Sequence, residues 1–115
     1  MKKLTTLLLC FFGILIFQNC SSSKKVNKSV VLVSYEKDLL PIMQASCTPC
    51  HFPPDGRKEP LNNYDAVKSH LPDIITRIKL PQTDNRFMPF KSKKPALSDS
   101  LINVFVQWQN QNMPQ

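Results

Sequence analysis

Apolar positions divide the chain into three regimes. Residues 4–17 are almost wholly apolar, broken by Thr5, Thr6 and Gly13. Residues 18–34 are polar and basic at first and then valine-rich. From Tyr35 onward the apolar positions fall into helical spacing, punctuated by proline. Apolar residues three and four apart share one helix face. Tyr35, Leu39, Ile42 and Met43 keep that spacing and predict a helix over 35–46. Its firm start falls near Leu39 or Leu40, because Pro41 is tolerated only in a first turn. A second helix is expected over 65–70. Leu71-Pro72 should interrupt it, and a further helix should follow over 73–80 with Ile74, Ile75 and Ile78 inward. Residues 81–95 read as a loop rich in proline, lysine and phenylalanine that carries Met88. The clearest helix starts after Leu97. Ser98 is a good N-cap, and Asp99 suits the positive end of the helix dipole. Leu101, Ile102, Phe105, Val106, Trp108 and Gln109 form its expected face. With so little else β-like, residues 29–34 read as an extended arm. The pattern predicts an all-α domain over 34–115, with long ordered loops and no internal repeat.

The apolar start is an address. Lys2 and Lys3 precede a run of about 14 apolar residues, short of the roughly 20 that span a bilayer. That is the form of a bacterial secretory signal. Phe17-Gln18-Asn19-Cys20 stands where a lipoprotein signal places its lipidated cysteine, although Phe17 and Asn19 depart from the usual small residues. The expectation is a signal over 1–19, a lipidated Cys20, and a flexible tether over 20–33. An uncleaved anchor and plain secretion are the alternatives. Several acyl chains on Cys20 would hold the protein at a membrane, where one chain alone would not. Ser21, not an acidic residue, follows Cys20, which favours the outer membrane facing the periplasm.

Composition changes the picture in two ways. The net charge is +7, and loss of Lys2 and Lys3 with the signal lowers it by two. A positive surface favours acidic protein partners or an anionic membrane surface. Arginine-rich or aromatic-interleaved stripes are missing, so nucleic acid is not an expected partner. The four cysteines are also accounted for. Cys10 leaves with the signal, Cys20 takes lipid, and Cys47 and Cys50 remain as a pair.

That pair carries the chemistry. Cys47-Thr48-Pro49-Cys50-His51 is C-x-x-C-H, the covalent attachment signature of c-type haem. Each thiol can form a thioether to a haem vinyl group, and the adjacent histidine can bind the iron. A zinc site would need two more ligands, with His51 and His70 the candidates and His51 badly placed beside Cys50. A thioredoxin-like redox pair would need a βαβ context that this chain lacks. The export signal, the preceding helix and the following methionine loop all agree with haem.

Taken in order, further short motifs join it: Pro41-Ile42-Met43, Tyr64-Asp65-Ala66-Val67, Ile74-Ile75-Thr76-Arg77-Ile78, Met88-Pro89, Leu97-Ser98-Asp99 and Trp108. With these, residues 38–110 resemble a single-haem class I cytochrome c domain of the short bacterial type. The resemblance implies a small all-α fold in which N- and C-terminal helices cross beside one covalent haem c. It departs at the crossing, where relatives often have glycine and an aromatic residue and this chain has Leu39 and Met43. It departs again at Phe90, where relatives often have a second proline.

The resemblance also implies roles. His51 is the expected proximal iron ligand, its Nδ1–H held by a backbone carbonyl within Phe52-Pro53-Pro54. Met88 is the expected distal ligand, a soft thioether that raises the reduction potential. His70 is the alternative, and an open or water-bound site is a third possibility. Trp108, Phe105, Phe87 and Phe90 are expected to wall the haem. Tyr64, Arg77, Arg86 and Trp108 are candidates for its propionates. Lys91, Lys93 and Lys94 would lie near the exposed haem edge and steer an acidic redox partner. The function implied is one-electron transfer by a lipid-anchored carrier, a monomer or a subunit of a redox complex. No residue is expected to be catalytic. Small-ligand sensing, peroxidase-like activity and a place within a larger oxidoreductase are the competing functions.

Overall fold

Proline and the apolar stripes decide where each element of this chain begins and ends. The computed structural model describes residues 31–115. The expected signal, the expected lipidation site Cys20 and the tether as far as residue 30 lie outside the described residues. The described residues form a compact all-α globule of three α-helices with no strand. They are α1 (Leu40–Cys47), α2 (Tyr64–Ile78) and α3 (Asp99–Asn110). None is long and apolar enough to cross a membrane.

A π-helical turn, Tyr35–Leu39, leads into α1. Pro41 has no N–H to donate, so the regular ladder starts at Leu40 and the preceding turn widens. Ser34 caps the turn reciprocally with Asp38. Its Oγ accepts from the Lys37 N–H, while its own N–H donates to Asp38 Oδ2 at 2.7 Å. The expected firm start near Leu39 or Leu40 is what the backbone adopts.

Helix α2 corrects the expected break at Leu71-Pro72. One helix runs unbroken from Tyr64 to Ile78, with Pro72 inside it. The missing N–H of Pro72 and its ring cost about 3 kcal/mol or more. Val67, Leu71, Ile74 and Ile78 lie on one stripe and are all buried. Each such burial contributes roughly 1.5–3 kcal/mol, so the stripe outweighs the proline. Asn63 caps the start by accepting from the Ala66 N–H at 2.9 Å.

Helix α3 starts where Ser98 predicts, its Oγ accepting from the Leu101 N–H. Its buried residues are Phe105 and Trp108, with Ile102 partly covered. Leu101 and Gln109 are corrections, because they fall off this stripe and are exposed. α2 packs on α3, and the π-helical turn also packs on α3. At that junction Tyr35, Tyr64 and Trp108 form a triad with ring centroids 5.7–6.0 Å apart.

The two ends of the described chain close over this triad. Trp108 Nε1–H donates to the carbonyl of Pro114 at 2.6 Å, and the Tyr64 hydroxyl donates to that of Met113 at 2.7 Å. The Gln111 amide accepts from the Val33 N–H and donates to the Val31 carbonyl, at 2.8 and 3.0 Å. Residues 31–33 are therefore held to the end of α3 by side-chain bonds, and the Tyr35 N–H adds a backbone bond to the Pro114 carbonyl at 3.2 Å.

Candidate functional site

A cavity of about 820 Å³ opens between the motif segment, α2, the loop after α2, and α3. It lies toward the upper end of the roughly 300–1,000 Å³ usual for ligand pockets. Leu61, Ile74, Ile78, Leu97 and Phe105 give it apolar walls. Cys47, Cys50, His51 and Met88 all line it. Chain segments distant in sequence thus bring the expected attachment residues and both expected iron ligands to one hollow.

The motif straddles the end of α1. Cys47 is the last residue of that helix, and Cys50 and His51 lie in the turn beyond it. Both cysteines are free thiols. They differ in environment. Cys50 is exposed, whereas the Cys47 thiol points back along α1 and meets the sulfur of fully buried Met43 at 3.8 Å. Burial disfavours the thiolate and pushes the Cys47 thiol up to about 11.

The loop after the motif folds back on it. The N–H groups of Lys58 and Leu61 donate to the carbonyls of Cys50 and His51, at 3.1 and 2.9 Å. Gly56 sits directly against the backbone of Pro49 and Cys50. This closure delivers Glu59 to the histidine. His51 Nδ1 lies 2.7 Å from the Glu59 carbonyl oxygen. A carbonyl can only accept, so Nδ1 carries a proton, and in the neutral ring Nε2 is the nitrogen with the lone pair. A backbone acceptor for His51 was expected, but in Phe52-Pro53-Pro54. The structure supplies Glu59 instead, because the loop must first reverse before a carbonyl faces the ring.

His70 lines the cavity from α2, with its Nε2 3.4 Å from Glu59 Oε1. Met88 reaches the cavity from a loop tied to the end of α2, its N–H donating to the Arg77 carbonyl at 3.3 Å. Asp84 organises that loop. Its carboxylate accepts from the Arg86 backbone and guanidinium, which holds the Asp84 carboxyl below its usual range.

Other expected residues divide. Phe105 and Phe90 line the cavity, while Phe87 lines a separate hollow of about 560 Å³ beyond Ile78 and Leu97. Trp108 is fully buried in the aromatic triad and does not line the cavity. Of the four candidates for propionate contact, Arg77 and Arg86 line the cavity. Tyr64 and Trp108 instead spend their donors on the tail. Lys93 and Lys94 stand at the cavity, joined by Lys58, which the sequence reading did not select. Lys91 instead lies over the ring of Phe90, 5.4 Å from its centroid.

Among the described residues, no three His, Cys, Asp or Glu side chains converge as a metal cage. Two thiols, an imidazole and a thioether around one largely apolar hollow are groups that could hold a covalently attached haem. Comparison with protein-family models, with curated proteins and with solved structures finds no match for this chain.

Proposed function

We propose that the protein is a one-electron carrier that holds one covalent haem c in the 820 Å³ cavity. Cys47 and Cys50 would hold the group through thioethers, His51 through Nε2, and Met88 through its sulfur. Bound there, the haem supplies a ferric/ferrous couple. The chain's own part is to fix the ligands and keep water away. The Glu59 carbonyl sets the tautomer of His51, and such outer partners orient a ligand and raise its basicity. The apolar wall from Leu61 to Phe105 lowers solvent access, another lever on potential. Arg77 and Arg86 offer positive charge to propionates.

One observation carries this reading: the attachment cysteines, an imidazole with its Nδ1 already committed, and Met88 line a single apolar cavity. His70 is less suited to the iron than Met88, because its Nε2 faces the Glu59 carboxylate. The finer fold reading, a class I cytochrome c with crossed terminal helices, draws support from the π-helical turn seated on α3. Leu39 and Trp108 are fully buried there, so leucine fills the place where relatives often have glycine. We read the carrier as a lipoprotein anchored through Cys20 in the bacterial envelope, on the strength of residues 1–20. Lys58, Lys93 and Lys94 at the cavity suit an acidic redox partner.

The test is haem staining of the exported, matured protein on a denaturing gel, followed by a spectroscopic redox titration. Stain that survives denaturation, with a His/Met spectrum, is expected. Absence of covalent haem in correctly exported protein would sink the proposal.

A further inference from the structure

Glu59 touches two histidines at once. Its carbonyl oxygen accepts from His51 Nδ1 at 2.7 Å, and its carboxylate meets His70 Nε2 at 3.4 Å. The two contacts tie different parts of the molecule together. The carbonyl belongs to the loop that closes on the C-x-x-C-H turn, and His70 belongs to α2. The backbone bonds that bracket Glu59, from Lys58 to Cys50 and from Leu61 to His51, lie wholly within that loop and turn. They hold Glu59 to the motif, but they do not fix the motif against α2. The Glu59–His70 contact supplies a polar tie between them beside the cavity, complementing the apolar packing of buried Leu61.

We propose that Glu59 and His70 form a positioning pair that holds the His51 ring at a fixed angle to the cavity wall made by α2. The inference rests on the haem reading above. His70 touches neither the cofactor nor the iron in this scheme. It acts through Glu59, whose peptide carbonyl it keeps aimed at Nδ1. Exposed ion pairs of this kind contribute little to global stability. The consequence is therefore local, on the basicity of the proximal ligand. A firm Nδ1–H to carbonyl bond makes the imidazole more basic and favours ferric iron. Loosening the pair weakens that bond and favours ferrous iron.

The experiment uses the exported, haem-loaded full chain. His70→Ala removes the tie. The expected result is at least a twofold rise in the ferrous-to-ferric ratio at fixed ambient potential. That is ~18 mV at ~59 mV per tenfold for one electron. His70→Gln, whose amide can still donate to the carboxylate, should restore the parent value. An unchanged or lowered potential in His70→Ala overturns the inference while leaving the haem reading intact. A loss of six-coordinate character in His70→Ala would put His70 on the iron and overturn it too. A chain that takes up no haem overturns the reading itself, and the inference with it.

Discussion

A methyl group placed on Gly56 would stand 2.5 Å from the carbonyl oxygen of Cys50. That is closer than a side-chain carbon and a backbone oxygen approach one another. The obstacle is backbone of the motif itself and not the end of a flexible side chain, so it cannot swing away. Gly56 is thus the residue that lets the 52–61 loop close and deliver Glu59 to His51.

Gly56→Ala should therefore destabilise the domain by about 1–3 kcal/mol, the usual cost of forcing extra atoms into a packed site. On the proposed haem reading, covalent loading should fall as well, because the displaced atoms belong to Cys50. Urea denaturation and haem staining of the variant measure the two effects. An unchanged midpoint with full loading would show that the loop has room.

Tyr35 contributes a different kind of strain. Its ring is buried in the triad with Tyr64 and Trp108, but its hydroxyl has no hydrogen-bond partner among the described residues. Burial, and secondarily the charge of Glu36, raise its ionisation above the usual tyrosine value. An unmatched buried polar group costs about 1–3 kcal/mol. Tyr35→Phe keeps the ring contacts and removes the cost, so it should stabilise the domain by about 1 kcal/mol. A fall in the denaturation midpoint would mean that the hydroxyl is satisfied in solution.

The sequence made some of this legible and not the rest, for identifiable reasons. Local signals carried well: Ser98 as a cap and the start near Leu40 set by Pro41 both depend on neighbours a few residues away. The break at Leu71-Pro72 was a wrong expectation because proline's cost is local while the compensating burial of Val67, Leu71, Ile74 and Ile78 is tertiary. The Glu59 carbonyl was missed because any residue type offers a carbonyl, and which one reaches His51 depends on how the loop reverses. Trp108 looked like a cofactor contact because a helical stripe has two uses. Here the stripe faces Tyr35 and Tyr64. Glycine was the one available hint of the closure, since Gly56 is one of only two glycines in the chain.

The two motif thiols should differ in reactivity while both are free. The thiolate is the reactive form. Burial raises the Cys47 thiol from 9.0 to about 11, whereas Cys50 is exposed. The sign follows from the neutral thiol being the buried form. Its contribution to stability is present below pH 9 and is lost as pH rises through about 11. In the folded, haem-free chain at pH 9, Cys47 should alkylate roughly tenfold or more slowly than it does in urea. Cys50 serves as the internal control. Peptide mass spectrometry after a timed iodoacetamide pulse reads both sites, and equal rates in the folded chain and in urea would refute the partial burial of Cys47.

Met88 is held by its backbone independently of its sulfur. Its N–H donates to Arg77 O, and the turn before it is built by Asp84, which accepts from the Arg86 N–H at 2.8 Å and whose carbonyl accepts from Phe87 N–H. Truncating the side chain should therefore remove a ligand without releasing the loop, which makes Met88→Ala a clean test. If Met88 binds the iron, the reduced variant should take up carbon monoxide readily, as the parent should not. Its potential should fall by on the order of 100 mV, within the roughly 0.8 V that axial ligands span. Met88→His should restore six-coordination at a potential still below the parent, since a thioether favours ferrous iron more than an imidazole does. An unchanged ferric spectrum in Met88→Ala would remove Met88 from the iron. Loss of the spectrum together with a collapsed denaturation midpoint would instead mark Met88 as core.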